Sequence, residues 1–202
     1  MLIYTDGSCR RNGKPDCVAG FGVYASNGVA ICGYETASTS QRGELFAMQH
    51  ALSHALEQFK AGYDDTIYIV SDSAYIVNCI REEWYTKWAR TGWVTSTGSS
   101  VKNQDIWETI VSILAELSDY EIMFYLIKGH ITEKKLQEGM LKFADYNFGA
   151  VPPVEVFREM VAGNNMVDVI AKQGRDTGEE NYTGLQRETR HFDVVQVVQG
   201  HI

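Results

Sequence analysis

Four carboxylates far apart in the chain, Asp6, Glu44, Asp72 and Asp168, each fall at the edge of a regular element. Acids gathered from such edges repel one another and raise a pKa unless a cation intervenes. The chemistry this permits is the binding of divalent metal ions. Mg²⁺ takes a few carboxylates, keeps several waters and accepts phosphate oxygens. Two such ions about 4 Å apart can activate a water and stabilise the leaving oxygen of an in-line displacement at phosphorus. Three of the acids also have a plain structural account. Asp6 before Gly7 can simply begin a turn, Glu44 can complement a helix dipole from the first turn, and Asp72 can cap a helix. His130, following Gly129, is either an exposed mobile group near the acids or an ordinary loop histidine.

The elements that must position these residues are legible in the pattern. Leu2 to Tyr4 reads as a buried strand halted by Thr5-Asp6-Gly7-Ser8. Phe21–Tyr24 and Val29–Tyr34 flank Asn27-Gly28, a strong hairpin signal, so the first three strands form an antiparallel meander. Leu45, Met48, Leu52, Ala55, Leu56 and Phe59 make one apolar helical stripe, with Thr39 or Ser40 able to cap its start and Gly62 to end it. Thr66–Val70 is apolar on both faces, as an interior strand is. After a crossover helix that strand should lie parallel to the first, which makes Asp6 and Asp72 neighbours at one sheet edge. A short helix follows through about Glu82, then a helix over Gln104–Leu117 and a strand over Tyr120–Ile127. Residues 131–163 form one or two charged helices broken at Val151-Pro152-Pro153, and Asn164 opens the helix carrying Asp168.

A chain of 202 residues with 45% hydrophobic content suits one soluble globular domain. No apolar run is long enough to span a bilayer, and a strand beginning at residue 2 leaves no room for a secretory signal. Cys9, Cys17, Cys32 and Cys79 show no paired metal spacing and read as reduced thiols, so a cytoplasmic protein is expected. A net charge of −8 argues against gripping nucleic acid by bulk electrostatics, although positive charge need line only one face.

Three of the four tryptophans, Trp84, Trp88 and Trp93, fall within ten positions, interleaved with Arg81, Lys87 and Arg90 and followed by Lys102. The segment reads as a positively charged ledge for a phosphate backbone with aromatic surface for sugars or bases. One helical turn separates Trp84 from Trp88, so core packing is the competing account. The segment 176–202 is polar and then weakly alternating; a terminal strand, a docking segment and disorder all fit it.

Taken in order, Tyr4-Thr-Asp6-Gly-Ser-Cys9, Arg42-Gly-Glu44, Ser71-Asp72-Ser-Ala-Tyr75, Lys128-Gly-His130 and Asn164-x-x-x-Asp168-x-x-Ala171 resemble type 1 ribonuclease H. Trp84-x-x-x-Trp88-x-x-x-Gly92-Trp93 and Val101–Trp107 are similar to the handle region of its bacterial members. The resemblance implies an α/β fold with a five-stranded mixed sheet, a meander plus two parallel strands, and helices on both faces. It implies a catalytic domain over 1–175, with 131–163 inserted between the histidine and the last aspartate. It further implies endonucleolytic cleavage of the RNA strand of RNA–DNA hybrids, with two Mg²⁺ ions, or Mn²⁺ in their place. Asp6, Glu44, Asp72 and Asp168 match the family's metal-binding carboxylates and His130 its mobile-loop histidine. Asn12, Ser40 and Gln41 match positions beside the RNA minor groove, and Arg42 is a further substrate-binding position; Trp84, Lys87, Trp88, Arg90, Lys102 and Asn103 match the handle side. A monomer acting on the hybrid without a membrane is expected.

Departures accompany the match. Ser40 and Gln41 stand where relatives carry asparagines, and Ala74 where they carry glutamine. Ala89 and Thr91 around Arg90 make the handle less basic than in some relatives. A non-catalytic nucleic-acid-binding module and a DNA-cutting nuclease of the same fold are the competing readings. The four-acid proposition fails if one acid lies out of reach of the others or a lysine already neutralises the cluster.

Overall fold

The computed structural model describes residues 1–199; residues 200–202, the end of the segment read as a tail, lie outside the described residues. Strands β1 (Leu2–Arg10), β2 (Val18–Ala25) and β3 (Val29–Thr36) form the meander, with Asn27-Gly28 at the second turn. Helix α1 (Ser40–Lys60) crosses over to β4 (Ile67–Ser71), which pairs parallel with β1 in the register Thr5↔Ser71. Helices α2 (Ala74–Arg81), α3 (Trp84–Arg90) and α4 (Gln104–Glu116) lead to β5 (Ile122–Leu126), parallel to β4. After α5 (Leu136–Tyr146) and α6 (Val154–Asn181) comes strand β6 (Phe192–Gln199).

The sheet order is β5-β4-β1-β2-β3-β6. Six strands replace the expected five, because the weakly alternating end of the tail adds antiparallel to β3. Phe192 stacks on Phe21 and packs on Phe46, which gives this strand an anchor on the sheet face.

Two apolar layers sandwich the sheet. On one face α1 and α4 bury Leu45, Met48, Leu52, Ile106, Trp107 and Ile110 against Ile3, Phe21, Val23 and Ile69. On the other, α5 and α6 bury Phe143, Phe157, Met160 and Val167 against Tyr4 and Val70. Burying each large side chain stabilises by roughly 1.5–3 kcal/mol, so both layers contribute substantially to holding the sheet in place.

Several boundaries differ from expectation. β1 runs through Asp6-Gly7-Ser8 to Arg10, because its antiparallel pairing with β2 continues after the parallel pairing with β4 has stopped at Thr5. Gly7 therefore makes no turn. Its missing side chain lets α1 approach: a Cβ there would sit 2.5 Å from the Glu44 backbone nitrogen. Thr39 caps α1, accepting from the Arg42 N–H, so Glu44 lies beyond the first turn. Ser73, not Asp72, occupies the cap position of α2. The helix bearing Asp168 begins ten residues before Asn164, at Val154 directly after Pro153, and continues without a break past residue 175 to Asn181.

Candidate active site

The register Thr5↔Ser71 puts Asp6 and Asp72 side by side, one residue beyond the last parallel pair. α1 delivers Glu44 to the same point across the gap left by Gly7. Carboxylate oxygens of Asp6, Glu44 and Asp72 all lie within 4.8 Å of one another. The Gly7 N–H donates to Asp6 Oδ1 at 2.8 Å, and Glu44 Oε2 is sealed from solvent without a hydrogen-bond partner. A sealed acid oxygen with no donor is costly, and a cation is the natural remedy.

Asp168 arrives from the opposite face of the sheet. Across from Asp6 on β2 stands Gly22, where a Cβ would meet the Ala171 nitrogen at 2.7 Å and the Val167 carbonyl at 2.9 Å. That close approach sets α6 directly on the sheet and brings Asp168 within hydrogen-bonding reach of Asp6. Asp168 is nevertheless outside the tight trio, and its Oδ2 accepts from Lys172 Nζ at 2.6 Å, one helical turn along α6. A lysine thus meets one acid of the four, on its solvent side; no ion pair to Asp6, Glu44 or Asp72 occurs among the described residues.

The electrostatics follow from the geometry. Burial pushes the Asp6 carboxyl up from 3.8 to about 8, with Asp72 and Asp168 adding repulsion. Burial also drives Glu44 well above its usual range, followed by the charges of Asp6 and Asp72. Asp72 is raised by burial too, with His130 opposing the rise. All-oxygen ligands of this kind suit hard dications such as Mg²⁺ and Mn²⁺. Such ions fit the trio.

Gly129 packs so closely on Asp72 that a Cβ would lie 2.5 Å from Oδ2. The next residue, His130, is exposed on left-handed backbone at φ +55°. The ring is close enough to act on the Asp72 carboxyl, on a segment anchored by buried Ile127 and Ile131.

The remaining predicted residues separate into two groups. Asn12 Oδ1 accepts from the Ser40 N–H at 3.2 Å, and Asn103 Nδ2 donates to Gln41 Oε1 at 3.1 Å, so these four polar groups form one surface at the start of α1. Trp84, Lys87, Trp88 and Arg90 line a single groove on α3, and Lys102 is exposed nearby. Trp88 also packs edge-on against buried Trp107, so the core reading and the ledge reading both hold for that ring. Arg42 lies differently. It is buried, held by Glu35 through Nε and Nη2 and by Asp105 through Nη1 and Nη2. Arg81 likewise leaves the basic ledge: it donates to the Phe124 carbonyl, Asn147 Oδ1 and the Tyr146 carbonyl, tying α5 to the sheet edge.

Sequence reasoning overlooked Gly7, Gly22 and Gly129 as spacers, Lys172 as the counter-ion of Asp168, and Asn164, buried one turn before Asp168 with an unpartnered side-chain oxygen. The i,i+4 spacing of Asp168 and Lys172 was the readable signal.

Comparison with known proteins gives the same assignment. The RNase H family's sequence model matches residues 1–176. A ribonuclease H of Caldicellulosiruptor saccharolyticus is 35% identical over 133 residues, covering 66% of this chain and 86% of that protein. The ribonuclease H of Moorella thermoacetica is 33% identical over 130 residues, covering 64% and 80%. Among solved structures, the prototype foamy virus RNase H domain superimposes with a TM-score of 0.57 at 21% identity, covering 87% of this chain and 94% of that one. The type 1 enzyme LC9-RNase H1 gives 0.50 at 20% identity, covering 81% and 83%. The fold is ribonuclease-H-like, with a mixed sheet between two helical layers. The chain belongs to the RNase H family, a family of enzymes.

Proposed function

We propose that the protein is an endonuclease that hydrolyses the RNA strand of RNA–DNA hybrids, leaving 5′-phosphate and 3′-hydroxyl ends. The observation carrying this reading is the convergence of Asp6, Glu44 and Asp72 at the end of the paired strands β1 and β4. A protein that merely binds phosphates gains nothing from three crowded acids, because they repel the ligand. Asp6, Glu44, Asp72 and Asp168 would hold two divalent ions, Mg²⁺ or Mn²⁺. A pair of such ions supplies an activated water and neutralises charge at the leaving 3′ oxygen.

The chain's own residues do the rest. Asp6, which lies beside each of the other three acids, would be the acid common to the metal-binding set. His130 takes part in proton transfer or product departure. Lys172 holds Asp168 in place through a 2.6 Å ion pair and would have to give it up for Asp168 to join a metal ion. Asn12, Ser40, Gln41 and Asn103 face the RNA minor groove, where the 2′-hydroxyl distinguishes RNA from DNA. Lys87, Arg90 and Lys102 with Trp84 and Trp88 take the DNA strand. Arg42 is better read as the buried tie that fixes α1, and so Glu44, to the sheet. Residues 131–163 form the inserted α5 and the start of α6, outside the acid site. No described helix is long and apolar enough to cross a membrane; action as a monomer in the cytoplasm accompanies the proposal.

The deciding assay offers RNA–DNA hybrid, double-stranded RNA and double-stranded DNA, each with and without Mg²⁺ or Mn²⁺. Hybrid-specific, metal-dependent nicking of the RNA strand is expected. Cutting of duplex DNA alone would favour a DNA nuclease of this fold, and tight metal-independent hybrid binding without nicking a non-catalytic module.

A further inference from the structure

At the open end of the β1–β2 pair, outside the acid cluster, two thiols meet. Cys9 on β1 pairs with Ala19, and Cys17 precedes Ala19 by two residues, so both side chains project from one face of the ladder. Their sulfurs are 2.7 Å apart, within about 1 Å of the covalent S–S length near 2.05 Å. Two unbonded sulfurs rest further apart than this, so the backbone already holds the pair at the threshold of a bond. The segment they bracket, residues 10–16, carries Asn12, which reaches across to the Ser40 N–H, and Arg11, which bonds Asp16 and Glu179.

We propose that Cys9 and Cys17 form a reversible disulfide clasp that fixes the loop bearing Asn12. The two thiols are unequal. Cys9 is partly exposed, whereas Cys17 is fully buried. The Cys17 thiol donating to it, together with Arg175 and Arg11 nearby, favours the Cys9 thiolate, while the same contact and burial hold Cys17 protonated. Cys9 is therefore the attacking group and Cys17 the resolving one. With a small disulfide such as oxidised glutathione as oxidant, the Cys9 thiolate attacks one sulfur, and the second leaves as a thiolate. Cys17 then loses its proton to that thiolate or to water and attacks the Cys9 sulfur, and the second glutathione thiolate departs. Two protein thiols are oxidised, and one disulfide is reduced to two thiols.

The loop so closed is short and already near its closed geometry, so the bond mainly restricts the unfolded chain and the loop's motion. The effect on substrate rests on the hybrid-cleaving reading; the sulfur chemistry does not. The test incubates the full-length protein with oxidised glutathione and follows intact mass, peptide map, melting temperature and hybrid cleavage. Expected are the loss of two hydrogens, a peptide link between Cys9 and Cys17, and reversal by dithiothreitol. The melting temperature should rise by about 5 °C, and KM for hybrid should fall about threefold as the loop is preorganised, with kcat unchanged. In Cys17→Ala the reaction should stop at glutathione bound to Cys9, with activity of the reduced protein unchanged. Retention of both thiols in the wild type, or a glutathione adduct on Cys9 that Cys17 does not resolve, overturns the clasp. A bond that forms without moving KM overturns its hold on the loop. Failure to cleave hybrid at all would leave the mass and melting readouts to decide.

Discussion

Gly7 and Glu44 are in contact through their backbones, so near that a single methyl group on Gly7 would lie 2.5 Å from the Glu44 nitrogen and 2.9 Å from the Gly43 carbonyl carbon. This contact, between a strand and a helix distant in sequence, is what lets the Glu44 carboxylate join Asp6. Gly7→Ala should cost about 3 kcal/mol of stability, as overpacking against backbone does. It should also cut turnover far more than an equally destabilising core substitution elsewhere. Denaturant unfolding beside steady-state kinetics would check both; wild-type turnover in a folded Gly7→Ala protein would refute the role given to the contact.

Asp6→Asn should abolish cleavage while making the metal-free protein sturdier near pH 8. The sign follows from linkage. Asp6 titrates at about 8 in the folded protein against 3.8 ordinarily, so across that window the folded state keeps a proton the unfolded chain has released. Stability of the metal-free wild type therefore falls as pH rises from about 4 to 8. The substitution removes the Asp6 share of this dependence, leaving that of Glu44 and Asp72, and should gain about 1–3 kcal/mol at pH 8. Thermal melts across that range in a chelator give the answer, and an unchanged pH slope in Asp6→Asn would contradict it.

His130→Ala should lower turnover by about 10- to 100-fold, the loss of a proton-transfer group, and leave stability untouched, since the ring is exposed. Single-turnover and steady-state rates measured together would place the loss in chemistry or in product departure. A loss as complete as that of Asp6→Asn would show that the histidine does more than assist.

Arg42→Met should destabilise by about 3–5 kcal/mol, because it leaves the buried Glu35 charge with only the Ser38 hydroxyl and the longer Arg190 contact. Glu35 and Arg42 are both nearly sealed, whereas Asp105 is exposed and contributes less. If Arg42 served substrate instead, KM for hybrid would rise with little change in the urea midpoint.

Phe192→Ala should lower stability by about 1–2 kcal/mol without altering cleavage. Its ring covers Phe21 and Phe46 at the far edge from the acids. Parallel urea curves and hybrid assays would separate the two effects.

The meander, the crossover helix and the neighbouring placement of Asp6 and Asp72 were readable because period-two and helical stripes, with Asn27-Gly28, state them locally. The sixth strand was readable only as one option of three, since the alternation of Phe192–Gln199 has meaning only once β3 offers an edge. The contacts of Gly7, Gly22 and Gly129 were hidden for a related reason: a glycine that admits another element looks in sequence like one that turns the chain. Arg42 and Arg81 misled because a guanidinium reads the same whether it meets a phosphate or, as here, carboxylates and carbonyls. The split of the four acids into three plus one was hidden because the reach of Asp168 is set by how α6 seats on Gly22, although the i,i+4 spacing of Asp168 and Lys172 was legible.

The unbroken run of α6 over 28 residues has a mechanical consequence. Gly163 lies on Tyr4 of β1, Gly174 on Gly33 of β3, and Gly178 on Tyr34 of β3 and Val18 of β2, so the rod is bolted to three strands with no slack. Sliding it by one residue, about 1.5 Å, would drive side chains into those seats and swing Asp168 away from its companions. Anything that pulls on the rod's outer end near Val154 is thus resisted at every bolt, and the fourth acid keeps its station under load.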